Sequence, residues 1–185
     1  MYSICIIYER KTPALRHFFR RHQPAACRLT PWKAGLGGIA VIAICALLAQ
    51  WLGNPLQIAP LAASAVLVFA APDSPMAQPA NVIGGHLLAT IIALLTAEFL
   101  PQTWWAMALA VGLSIALMAA ARLTHPPAGA DALVVAVLHP GWSYLLFPIL
   151  FGSILVVAAA VLLHRVLPPR RLYPLPPPVE DGAGA

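Results

Sequence analysis

The chain has 185 residues, of which 61% are hydrophobic and 9% charged, with a formal net charge of +5. A soluble domain carries about 25% charged residues, so this composition excludes one and leaves room for a single membrane domain with tails. The three cysteines, Cys5, Cys27 and Cys45, are odd in number and match no metal spacing, which excludes a disulfide framework and a cysteine metal site.

Seven of the eleven Lys and Arg residues (Arg10, Lys11, Arg16, Arg20, Arg21, Arg28 and Lys33) precede the first apolar segment, and Arg165, Arg170 and Arg171 follow the last. Positive charge placed this way marks topology rather than nucleic-acid binding. It puts both termini in the cytoplasm and makes the number of crossings even. The membrane expected is the bacterial inner (plasma) membrane. Residues 1–33 read as a basic cytoplasmic tail that can touch anionic lipid. Segment one, 34–52, follows too long a basic region and lacks a cleavage motif, so it is a retained span rather than a signal peptide. Gly35, Gly37 and Gly38 suit its start to close packing, and Gly53-Asn54-Pro55 turns the chain. Segment two, 60–71, reaches only about 18 Å as a helix, short of a bilayer core of about 30 Å.

Asp73-Ser74-Pro75 ends segment two, and Gln78-Pro79-Ala80-Asn81 leads into segment three, 82–100. Asn81 is its expected N-cap, and Gly84, Gly85 and His86 lie in its first turns. Segment four, 104–122, opens on the interfacial pair Trp104 and Trp105. Then comes Thr124-His125-Pro126-Pro127-Ala128-Gly129-Ala130-Asp131. Its two prolines break one helix and suit the first turn of the next, so a short segment five is expected over 127–138. Segment six spans 144–164, and residues 168–185 read as a Pro-rich disordered tail. Glu98, His139 and His164 are expected near the membrane surfaces.

An offset of 67 residues lays Pro60–Val68 on Pro127–Val135, with Pro60/Pro127, Ala63/Ala130, Ala65/Ala132 and Val68/Val135 identical and Ser64 opposite Asp131. The same offset matches segment one with four, three with six, and Gly85 with Gly152. The expected fold is thus an all-α membrane protein, with four long transmembrane helices and two short half-helices in a two-fold internal repeat. Short Pro/Gly-bounded segments at matching places point to a transport site. If they cross, the halves are inverted; if they re-enter, the halves are parallel. The position of Arg122 favours inversion.

The Thr124–Ala130 stretch resembles the signature of the HPP family of integral membrane proteins. Asp73-Ser74-Pro75-Met76-Ala77-Gln78-Pro79, followed by Asn81-Val82-Ile83-Gly84-Gly85-His86, resembles a second recurring motif of that family. The resemblance covers the membrane region, 34–167. It implies four transmembrane segments and, because some members are associated with nitrite transport, a transporter or channel for a small anion.

From the residues themselves, an anion site is expected where the two short helices begin. Helix N-termini present free N–H groups and partial positive charge, and two of them, near Pro60 and Pro127, can face one anion. Ser64, His86, His125, Pro126, Pro127, Gly129 and Asp131 are the candidate substrate-binding residues. Ser64 and the imidazoles would donate, and His125 or Asp131 could carry a proton taken up with the anion. Asp131 opposes simple anion conduction and is expected to pair with His125 or Arg122. No catalytic, metal or cofactor site is expected. A membrane enzyme would have to use His86, His125, Asp131 and His139, which share no local motif. The rival function is a non-transporting scaffold or regulator, with short segments packed tightly and no polar cavity between them. The partners expected are lipid, a small anion and, because the domain is small, a second copy of the chain.

Overall fold

A computed structural model describes residues 19–20, 27–51 and 58–176. Most of the basic tail, the Gly53-Asn54-Pro55 turn and residues 177–185 lie outside that range. Among the described residues all regular structure is helical. Helix α1 is Leu29–Trp51, α2 Ile58–Ala70 and α3 Pro79–Phe99, with a 3₁₀ turn at Pro75–Ala77 before α3. Helix α4 is Trp104–Ala120. A second 3₁₀ turn, Pro126–Ala128, leads into α5, Gly129–Leu138, and a π-helical stretch, Leu145–Leu150, leads into α6, Phe151–Val166.

Three stretches are long and apolar enough to cross a membrane: Leu29–Trp51, Pro79–Phe99 and Leu145–Val166. The fourth expected long helix, α4, has 17 residues, or about 25 Å. It stops early because Arg122, at φ 58°, takes the left-handed position after the helix. Arg122 N–H then bonds the Ala119 carbonyl and Leu123 N–H the Met118 carbonyl, the pattern that closes a helix end. Helix α1 begins five residues before the expected boundary. Lys33, placed in the tail by sequence, is buried in its second turn. The third long stretch is interrupted at Phe147 (φ −137°, ψ 118°), ahead of Pro148, as a proline inside a helix dictates.

Contacts at the helix ends fix the chain directions. Lys33 Nζ donates to the Leu167 and Pro169 carbonyls, both at 2.9 Å, so the start of α1 meets the end of α6. His164 Nε2 lies 2.9 Å from the Val68 carbonyl, which sets the end of α2 there too. Asn81 Nδ2 donates to the Thr124 carbonyl at 3.1 Å and to that of Arg122 at 3.3 Å, adding the start of α3 and the end of α4. At the other end of the bundle Gln102 meets His139, and Trp142 Nε1 donates to Glu98 at 3.1 Å. Successive helices therefore run in alternate directions. The outward faces carry large exposed apolar side chains, among them Trp32, Ile39, Val66, Ile115 and Leu162, as lipid contact requires.

The segment expected to be disordered is anchored over residues 168–176. Tyr173 is 2% exposed, and its hydroxyl donates to the Ala77 carbonyl at 2.8 Å. Burial pushes that phenol up to about 12. Arg171 Nη1 donates to Asp73 Oδ2 at 2.7 Å, and Leu175 N–H donates to Gln78 Oε1 at 2.8 Å. The prolines hold the strap extended, and its apolar ring fills a hole beside His164. His164, expected at the surface, is consequently buried.

Candidate functional site

The polar residues of the two short helices converge in the terminal-side half of the bundle. Ser64 lies mid-way along α2. His86 sits two turns into α3, His125 just before the 3₁₀ turn, and Asp131 in the first turn of α5. All four are fully buried. Ser64 Oγ lies 2.7 Å from His86 Nε2, 2.8 Å from His125 Nε2 and 3.0 Å from the Pro60 carbonyl. His86 Nδ1 lies 2.6 Å from Asp131 Oδ2. His125 Nδ1 lies 2.8 Å from the Met76 carbonyl. The two rings meet edge to face, with centroids 5.0 Å apart. An unbroken hydrogen-bonded chain thus leads from Met76, whose side chain is exposed, through His125, Ser64 and His86 to Asp131.

Glycines make this approach possible. A Cβ on Gly85 would lie 2.7 Å from His125 Cβ and 3.0 Å from the Leu123 carbonyl oxygen. One on Gly84 would press on the Leu123 side chain at 3.0 Å. These two glycines admit the 123–125 loop onto α3. Gly152 does the same for Leu61 of α2, at 2.5 Å, and Gly37 admits Leu163 and Phe69. Gly129, Gly35 and Gly38 meet nothing within 4 Å, so the close packing expected at Gly35 and Gly38 is not found.

The structure rearranges several expected partnerships. Asp131 pairs with His86, not with His125 or Arg122, because α5 lies along α3. Asn81 does not cap α3. Gln78 occupies that position, Pro79 is the first helical residue, and the Asn81 amide instead ties down the Thr124 loop. Ser74 caps the first 3₁₀ turn by accepting from Met76 N–H, Pro75 opens that turn, and Asp73 holds the strap. Pro126 and Pro127 form the second 3₁₀ turn, so α5 starts two residues later than expected. His139 stands at the opposite end with Gln102 and does not join the other histidines. Three polar groups near the network had not been singled out: Thr90, one turn beyond His86; Tyr144; and the Met76 carbonyl. The i, i+4 spacing of His86 and Thr90 was a readable signal; the other two had none.

Protons set what this arrangement can do. A carbonyl only accepts, so His125 carries its proton on Nδ1 toward Met76. Five contacts link Ser64, His86, His125, Asp131 and the two carbonyls, and each needs a proton. One serine, two neutral imidazoles and an ionised aspartate supply three. The Ser64 hydroxyl could then donate to only one of its three neighbours and would face at least one imidazole lone pair with a lone pair of its own. Two further protons give every contact a donor and leave the network with a net charge of +1.

The family described as HPP, transmembrane region, matches residues 23–174. A transmembrane protein of Dictyostelium discoideum is 37% identical over 156 residues, covering 78% of this chain and 53% of its own. A second from the same organism is 37% identical over 122 residues, covering 62% and 39%. The chain thus spans about half or less of the length of these relatives. No solved structure matches.

Proposed function

The chain belongs to the HPP transmembrane family and is an integral membrane protein, and from that premise we propose that it carries a small anion such as nitrite across the membrane together with a proton. The observation that carries this is the buried Asp131–His86–Ser64–His125 chain. Ionisable groups inside a membrane domain are costly, and chains of Asp and His serve as proton relays there. Proton uptake also answers the objection raised by Asp131. With protons in all five contacts, the network carries one positive charge where an anion needs it.

We read the six helices as two inverted halves of three, α1–α3 and α4–α6, with α2 and α5 as short crossing segments and both termini cytoplasmic. The alternating directions support this. So do the matched glycines, Gly85 at the start of the α5 segment and Gly152 at the start of α2. In this arrangement Ser64 and Asp131 are equivalent positions brought to either side of His86.

Ser64, His86 and Asp131 also stand in the order of a nucleophile, base and orienting acid. Ser64 Oγ, however, is sealed between two imidazoles and its own helix, so transport is preferred to hydrolysis. A fluorophosphonate probe is expected to leave Ser64 unlabelled. The deciding experiment is uptake of nitrite and nitrate into proteoliposomes, with and without an inward acid gradient. Gradient-stimulated uptake is expected. No flux of either anion selects the scaffold, a second function favoured by the full burial of Ser64, His86 and Asp131 where the two short helices approach α3.

A further inference from the structure

The space between α3, α4 and α5, at the end of the bundle away from the termini, is not filled. A cavity of about 330 Å³ lies there, within the range of about 300–1,000 Å³ of small-molecule sites. Five alanines line it: Ala93 and Ala97 of α3, Ala106 and Ala110 of α4, and Ala136 of α5. A methyl group at each position leaves room that larger side chains would take in a close-packed interior.

The lining changes character with depth. Ala93 precedes Leu100 by seven residues on α3, so the cavity enters the domain by about 10 Å, a third of a bilayer core of about 30 Å. At its floor Ala93 and Ala110 are each 2% exposed. Thr96 directs its hydroxyl to the Ile92 and Ala93 carbonyls of its own helix, at 3.0 and 2.8 Å. Such an apolar floor stays dry and takes apolar guests. The hydrogen-bonding side chains of Gln102, Thr103 and His139 stand where the helices end. Trp104 and Val137, 78% and 70% exposed, border the cavity on its outer side, where lipid contacts the domain.

No lysine, arginine, aspartate or glutamate lines this cavity. Gln102 Nε2 donates to His139 Nδ1, so the imidazole keeps its proton on Nε2. Gln102 Oε1 is left to accept and His139 Nε2–H to donate, and a hydroxyl group does both.

We propose that the cavity binds a neutral, hydroxyl-bearing lipid drawn from the surrounding bilayer. Its hydroxyl lies at Gln102 and His139 and one alkyl chain lies among the alanines. A charged headgroup finds no counter-charge here, whereas a hydroxyl finds both its partners. The site lies away from the Ser64 network and stands whether or not anion flux is found.

The test is photolabelling of the full chain in phosphatidylcholine vesicles, with dodecanol carrying a diazirine in its chain and peptide mass spectrometry to map the products. Labelling is expected within 93–110 and 136–139, displaced by excess plain dodecanol. Dodecanoate and dodecyltrimethylammonium bearing the same diazirine should label there no more than they label the lipid-facing Ile115 and Leu162, which are 56% and 65% exposed. Ala97→Phe fills the cavity and should abolish the displaceable labelling. Gln102→Ala should raise the dodecanol needed for displacement about fivefold, the factor for one neutral hydrogen bond. Dodecanol labelling no stronger than at Ile115 and Leu162, labelling that plain dodecanol does not displace, or equal labelling by the charged probes would each overturn the site. So would an Ala97→Phe protein that melts as the unaltered chain does and is labelled as strongly. If Ala97→Phe does not fold, Gln102→Ala at its exposed position decides, and unchanged displacement overturns the assignment.

Discussion

Ser64 holds one hydroxyl proton and has three polar neighbours, two imidazole nitrogens and a carbonyl, at 2.7, 2.8 and 3.0 Å. Ser64→Ala removes the hub and leaves two imidazole nitrogens unpaired in a buried site. Each unpaired group costs about 1–3 kcal/mol. The variant is therefore expected to melt at a lower temperature and to lose gradient-stimulated uptake. Asp131→Asn separates the two effects. It preserves the shape of the pair with His86 but cannot take up a proton, so any remaining uptake should be indifferent to an acid gradient. Uptake of Asp131→Asn that still responds to the gradient would remove the relay from the mechanism. The sequence marked Ser64, His86, His125 and Asp131 one by one, since polar residues stand out in an apolar chain. It did not show that His86 and Asp131 pair, because that contact spans 45 positions and depends on how α3 and α5 pack. Thr90 and Tyr144 passed as ordinary residues because a hydroxyl is noteworthy only when the fold leaves it unpaired.

Helix contacts turn on single glycines, and two substitutions contrast the cases. Gly85→Ala puts a methyl group against His125 and a backbone oxygen, neither of which yields easily. About 1–3 kcal/mol of destabilisation is expected, read as a lower melting temperature. Gly129→Ala meets nothing within 4 Å at helical φ −58°. It should stabilise by up to about 1 kcal/mol through helix propensity and a less flexible unfolded chain. The strap adds a pH signature. The Tyr173 phenol is raised from an ordinary value near 10 to about 12. Its contribution is therefore complete below about pH 10 and lost as pH rises toward 12. Melting temperature should fall across that window, less steeply in Tyr173→Phe. Helix positions were legible to within a few residues because apolar runs and Pro/Gly breaks delimit them. The strap was not, since its proline-rich composition resembles that of unanchored tails and its order comes from pairing with residues 73–78.

At the scale of the molecule, the loop holding Gln102 and Thr103 lies at the opposite end from the Lys33–Leu167 contact. An introduced Thr103→Cys is expected to react only with reagent added on the side away from the termini. Labelling from the side of the termini would exclude crossing by the short helices. An inverted reading of the 67-residue offset predicts the same outcome, because inverted halves would place equivalent loops on opposite faces. The offset gives no sign that Ser64 and Asp131 sit on either side of one imidazole, a matter of distance rather than alignment.

Two successive carbonyls on the 72–78 loop are held by distant parts of the chain. His125 holds Met76 and Tyr173 holds Ala77. A single residue, Ala77, therefore separates the carbonyl that holds His125 from the carbonyl that holds the docked tail. Such a junction is reciprocal: any factor by which releasing the tail changes the proton affinity of His125 is the factor by which that proton changes the affinity of the tail for its groove. If the proposed transport holds, a fusion, truncation or binding protein that pulls on residues 168–176 is expected to act on the buried histidine, read as a shift in the acidity at which uptake is half-maximal.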